Sequence, residues 1–207
     1  MPNHDELEDR APLNRRQKSK LRRRRLMETA AQLYLTGGIG ALTISALKEK
    51  TQASVGSIYY HFESKESLLE VLYKEALSDY RAGLDEALKT EDLRLWIRAL
   101  IHHHLHWAVE NPDFARLLHR ARHDLGEARK EVGQETKQFV GKYWDWLSQK
   151  PELAIKDPVL VHALLLGPVH ELTRHHLFRR PLGDTEKAAE ALAAAAERSL
   201  LKSPANG

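Results

Sequence analysis

Residues 54–61 read Ser-Val-Gly-Ser-Ile-Tyr-Tyr-His, a run of small, hydroxyl-bearing and aromatic polar side chains. Ser54, Ser57, Tyr60 and His61 offer hydroxyls and an imidazole that can meet bases or phosphates, and Gly56 lets a backbone come close to a groove. Upstream, residues 10–25 hold nine Lys or Arg and no acid, preceded by Asp5, Glu6, Glu8 and Asp9. Net charge is only +3, so this positive charge is local; it includes Arg22 and Arg23, suited to a phosphate backbone. A second chemical set is the histidines, 12 in all, with His102, His103, His104 and His106 clustered. His102 and His106 are four apart and could share a metal. Their spacing turns them away from the Leu93/Ile97/Leu100 stripe, towards solvent, and no ordered ligand set accompanies them, so neither a metal nor a cofactor is expected. His104 falls on the stripe, either as a hydrogen-bonded core residue or as a polar contact to a ligand.

The elements that would position these residues are all helical, since apolar residues recur at three or four throughout and nothing alternates with a period of two. Residues 1–18 lack periodicity and read as a mobile basic arm. Leu26, Ala30, Leu33 and Tyr34 make the inner face of a first helix, stopped at Gly37-Gly38. Thr43 is a suitable N-cap for a second helix. A third covers about 54–60, with Val55, Ile58 and Tyr59 available for packing. Ser64-Lys65-Glu66-Ser67 opens a fourth, along which Leu68, Leu72, Ala76 or Leu77, Tyr80, Leu84 and Leu88 recur. Five more follow, starting at residues 90–92, at Asn111-Pro112, near Leu125, at Asp157-Pro158 and at Asp184 or Thr185. Proline suits the first helical position, and Gly167-Pro168 should interrupt the eighth helix. The expected fold is all-α, with about nine helices.

Composition bounds what such a chain can be. At 207 residues, 42% hydrophobic and 29% charged, it can bury a core. Without cysteine it has no disulfides or thiolate metal sites, which suits a reducing cytoplasm. No apolar run reaches the length of a membrane span, and the start of the sequence is polar, so no membrane partner is expected.

A helix-turn-helix requires a second helix slim enough for the major groove, phosphate donors at helix ends and a small bracing core. Thr43 and Lys65 stand at helix N-termini, where backbone amides hold phosphates. Ser-rich helix starts and Tyr-Tyr pairs also serve plain packing, so spacing alone leaves both readings open. The segment 43–69, with Ala-Ser-Val-Gly-Ser-Ile-Tyr-Tyr-His-Phe followed by Ser-Lys-Glu-Ser-Leu-Leu, resembles the DNA-binding region of TetR-family transcriptional regulators. The likeness reaches back to the helix at 26–37. It departs from the common pattern at Lys48, where alanine is frequent, and at Gln52, where glycine is frequent. The resemblance implies DNA contact by Thr43, Ser54, Val55, Gly56, Ser57, Tyr59, Tyr60, His61 and Lys65. It also implies a homodimer on a palindromic duplex, with DNA-reading heads and a ligand-binding body.

Three segments follow: a basic arm (1–18), a helix-turn-helix domain (19–67), and a ligand-binding and dimerisation domain (68–203). Helices at about 158–178 and 185–200 are apolar or alanine-rich and would pair with their mates. A small apolar or amphipathic effector would meet Trp96, Leu100, His104, Phe114, Leu118, Phe139, Tyr143, Trp144 and His170. The leading expectation is a non-enzymatic repressor released from its operator by that effector. The alternatives are a regulator without effector and a helical metal-dependent enzyme built on His102 and His106; no HExxH, GxSxG or phosphate-loop motif supports the enzyme.

Overall fold

The computed structural model describes residues 14–51, 64–121, 124–125 and 128–202. Among them are eight helices: α1 (Arg15–Ala41), α2 (Ile44–Thr51), α3 (Lys65–Ala87), α4 (Leu93–Glu110), α5 (Pro112–Arg120), α6 (Ala128–Ser148), α7 (Pro158–Phe178) and α8 (Thr185–Leu200). The expected helix at 54–60 falls outside the described residues.

Caps decide where most helices begin. Thr43 Oγ1 accepts from Ala46 N at 3.2 Å and starts α2. Ser64 and Ser67 exchange side-chain and backbone bonds across the first turn of α3. Asp92, Asp157 and Asp184 accept from amides of α4, α7 and α8. Proline occupies the first turn of α5 and of α7.

Three boundaries differ from expectation. First, α1 starts at Arg15, inside the stretch read as a tail. Asn14 and Gln17 form a reciprocal cap, at 2.9 and 2.8 Å, and the Arg/Lys/Gln-rich sequence after it has good helix propensity. Second, the helix breaks at Gly37-Gly38 as expected, but α1 carries a further short helical turn beyond the kink. Gly38 takes a left-handed turn (φ 65°), which only a residue without Cβ adopts freely, and the chain resumes helical turns to Ala41. Third, α7 runs unbroken through Pro168, whose face is exposed, so Gly167-Pro168 does not interrupt it.

Two apolar cores result. One joins α1, α2, the start of α3 and α5, with Ala30, Leu42, Leu47, Leu69, Leu72 and Leu117 sealed from solvent. The other joins the end of α3 to α4, α6, α7 and α8 around Ile97, Leu105, Val169, Ala189 and Ala193. Each fully buried leucine contributes roughly 1.5–3 kcal/mol relative to exposure. Tyr80 packs against both cores. Gly83 sets the α3–α4 spacing: a Cβ there would lie 2.5 Å from His103 Cε1. Beyond α8 the chain folds back, Leu201 bridging Leu153, with Ala154 N donating to Leu200 O at 2.8 Å.

Candidate nucleic-acid interface and body cavity

The head presents its cations from α1, α2 and the start of α3. Arg22 lies exposed, with no carboxylate paired to it among the described residues. Arg23 is different: its guanidinium is tied to Glu75 of α3, so part of its charge is already answered, although the side chain stays 60% exposed. Arg24 bonds Glu28 at 2.9 Å and Asn111 at 2.8 Å. The Thr43 hydroxyl oxygen accepts in its cap, which leaves its O–H, together with amides of the first turn of α2, as phosphate donors there. Lys65 is the first residue of α3, exposed beside the Ser64 cap. Ser54, Val55, Gly56, Ser57, Tyr59, Tyr60 and His61 lie outside the described residues.

In the body, α3 to α7 enclose a cavity of about 550 Å³. Its wall is apolar and aromatic. Trp96, Leu100, His104, Leu118, Phe139, Tyr143, Trp144 and His170 all line it, as does α7 through Leu165 and Thr173. Phe114 does not. It packs in the head-side core, because around the axis of α5 it groups with Leu117 and Ala121, roughly a third of a turn from Ala115, Leu118 and His119.

The polar groups of the wall follow a definite order. Tyr80 Oη and His104 Nδ1 are 3.0 Å apart. Burial holds the Tyr80 phenol protonated, well above its usual range. That hydrogen bond is its partner, so the hydroxyl donates and Nδ1 accepts; the His104 proton then sits on Nε2. Among the described residues His104 Nε2 is buried without a partner, and so is Thr173 Oγ1. The rings of His104 and His170 lie 4.7 Å apart. Burial, then the neighbouring His170, pushes His104 down to about 3; burial, then His162, pushes His170 down to about 4. Both are neutral at neutral pH. Among the described residues the one guanidinium on the wall, Arg81, is already bonded to Thr136 at 2.9 Å and lies over the Phe139 ring.

Residues 26–72 match the family described as bacterial regulatory proteins, tetR family. The HTH-type transcriptional repressor KstR2 of Rhodococcus jostii (strain RHA1) is 34% identical over 80 residues, 35% of this chain and 39% of that protein. Residues 26–72, the head of this chain, thus match the TetR family. The alignment spans about two fifths of that curated relative, and solved structures extend the likeness of fold. The TetR-family regulator PfmR from Thermus thermophilus superposes with a TM-score of 0.67 at 23% identity, covering 84% of this chain and 97% of that one. The ketosteroid regulator KstR2 of Mycobacterium tuberculosis gives 0.66 at 20%, covering 88% and 96%.

In this chain α5 joins cavity to head. Ala115, Leu118 and His119 face the cavity, while Phe114 and Leu117 pack under α1. Polar bonds pin the same helix and its flanks to α1: Gln32 to Asp113 at 3.1 Å, Arg120 to the Leu35 carbonyl at 3.0 Å, and Tyr34 to Asp124 at 2.5 Å. None of these was legible from spacing, because each pair joins segments far apart in the chain. His102 and His106 also need correction. They do not face open solvent; they lie in the seam between α4 and α8, against Glu186 and Glu190. Among the described residues, no helix is long and apolar enough to cross a membrane.

Proposed function

We propose that this protein is a homodimeric, cytoplasmic DNA-binding repressor, not an enzyme. Its body cavity admits an elongated apolar effector carrying an uncharged oxygen. One observation carries the reading: two buried polar atoms without partners among the described residues, His104 Nε2 and Thr173 Oγ1, on the wall of a large apolar cavity whose floor helix is bolted to the head. A buried donor left bare costs about 1–3 kcal/mol, which a ketone or hydroxyl of the effector would recover. Among the described wall residues His104 and His170 are neutral and the Arg81 guanidinium is engaged, which favours an uncharged oxygen over a carboxylate. The ketosteroid regulator among the structural relatives is consistent with this chemistry.

The effector acts by differential fit. In the DNA-bound state the floor helix α5 leaves the two heads at half-site spacing, about 34 Å apart. Ligand against Leu118 and His119 favours a displaced α5, and the bonds from Asp113 and Arg120 carry the displacement to α1. A shift from 1:99 to 99:1 requires about 5.5 kcal/mol of difference in affinity between the states. The basic residues up to 18, helical from Arg15, serve as arm, and segments 19–67 and 68–203 as reader and sensor in this reading. The dimer would use the outer faces of α7 and α8, where Leu160, Ala163, Ala188, Ala191 and Ala195 are exposed or half-buried.

The test begins with selection of genomic fragments by purified protein at low salt. It continues with release of the selected fragment by a panel of ketosteroids, fatty acids and their uncharged analogues. Enrichment of one palindrome, and its release by neutral keto or hydroxy compounds, is expected. No preference over random competitor would remove the regulator; release by carboxylates alone would remove the effector chemistry.

A further inference from the structure

The seam between α4 and α8 holds a cluster the DNA-binding role leaves unused. His102 and His106, one turn apart on α4, stack with ring centroids 6.0 Å apart. Glu186, in the first turn of α8, reaches both: Oε1 is 3.5 Å from His102 Nδ1, and Oε2 is 3.0 Å from His106 Nε2. The ligand atoms of the three residues lie within 4.8 Å of one another. The neighbouring charges are already paired. Arg98 holds Glu190 and Glu197, each at 2.6 Å, and Arg94 holds Glu197 at 2.6 Å. Glu186 alone in this seam has no Lys or Arg partner among the described residues, only the two imidazoles. The second nitrogen of His102 is buried and unbonded, 3.2 Å from Glu190 Oε1 but out of hydrogen-bond alignment.

We propose that His102, His106 and Glu186 form a binding site for a divalent transition cation of the zinc class, joining α4 to α8. Two imidazoles and a carboxylate are the donor set such ions take with three protein ligands and an open position for water. Zinc bonds of about 2.0–2.1 Å on tetrahedral vectors set ligand atoms about 3.3 Å apart. The two Glu186 approaches bracket that span, and small rotations of half-exposed side chains close the rest. Magnesium and calcium, which require oxygen ligands, would be refused. Glu190 is the positioning residue: a small turn of the His102 ring lets Nε2–H donate to it, and that tautomer aims the Nδ1 lone pair at Glu186 and the ion. Nothing here depends on an effector or on DNA. A bound ion would lock the helix that lines the cavity, through Leu100 and His104, to the terminal helix.

The experiment uses full-length, tag-free protein stripped with chelator and titrated with Zn²⁺ by calorimetry, with Mg²⁺ as the contrasting ion. One zinc per protomer with micromolar or tighter Kd is expected, together with a rise in Tm on saturation. His106→Ala and Glu186→Gln should each weaken binding at least tenfold with circular dichroism unchanged, while His175→Ala binds as the parent does. Glu190→Gln should weaken it roughly tenfold, the usual cost of losing a group that orients a ligand. Co²⁺ substitution should add a visible absorption band that the His102→Ala/His106→Ala pair abolishes. Binding no tighter than millimolar, or an affinity unchanged in that double variant, would overturn the site.

Discussion

At the scale of single residues, burial sets the chemistry of the cavity wall. His170 has its imidazole pushed from 6.5 to about 4 by burial and by His162. The folded protein therefore binds fewer protons than the unfolded chain between those values. The stabilising contribution is whole above about 6.5 and is lost as the pH falls towards 4, on the order of 2 kcal/mol after allowance for solvent screening. Urea melts at pH 7.5, 6 and 5 should show the loss, and His170→Gln should reduce it without abolishing it, because His104 is held lower still. Thr43 makes a second case. Removing its cap by Thr43→Ala costs about 1 kcal/mol of stability, readable in the same melts, and operator affinity falls with it because the amides of α2 are no longer held.

At the scale of elements, α5 has two faces with different duties. Phe114 is 7% exposed in the head-side core, while Leu118 borders the cavity. Phe114→Ala should lose about 3–5 kcal/mol in chemical denaturation, and Leu118→Ala distinctly less, since one side of Leu118 already meets empty space. For function the order reverses. Leu118→Ala should change effector affinity and leave operator binding near the parent value in an anisotropy titration. Equal loss of stability in both variants would show that the cavity is not open on that face.

At the scale of the whole molecule, twofold operators demand a twofold protein. Ala191 lies on the outer face of α8, exposed in the protomer. Ala191→Arg should leave the protomer folded but shift sedimentation from dimer to monomer and abolish operator binding at nanomolar concentrations. Salt reports the head. Each neutralised phosphate adds about 0.9 to the steepness of log K against log salt. Arg22→Ala should reduce the steepness by about this amount for every phosphate its guanidinium neutralises. Arg23→Ala should reduce it by less, because Glu75 already pairs with Arg23.

Local sequence was enough for the helical class, for most helix starts and for the family resemblance of the head. Thr43, Ser64, Asp92, Asp157 and Asp184 each cap within three residues of themselves, and apolar spacing repeats every turn. Spacing also drew most of the cavity wall, since aromatics on inner stripes converge wherever helices bundle. It misplaced Phe114 and sent His102 and His106 into solvent. A helical wheel shows which residues share a face, but only packing shows what the face meets, and a helix such as α4 meets different neighbours on several sides. No apolar stripe marks the Asn14–Gln17 cap in the sequence, and Glu186, 80 positions from His106, has no local signal at all. Contacts between distant helices depend on how the bundle closes, and that is decided by the summed packing of the whole chain.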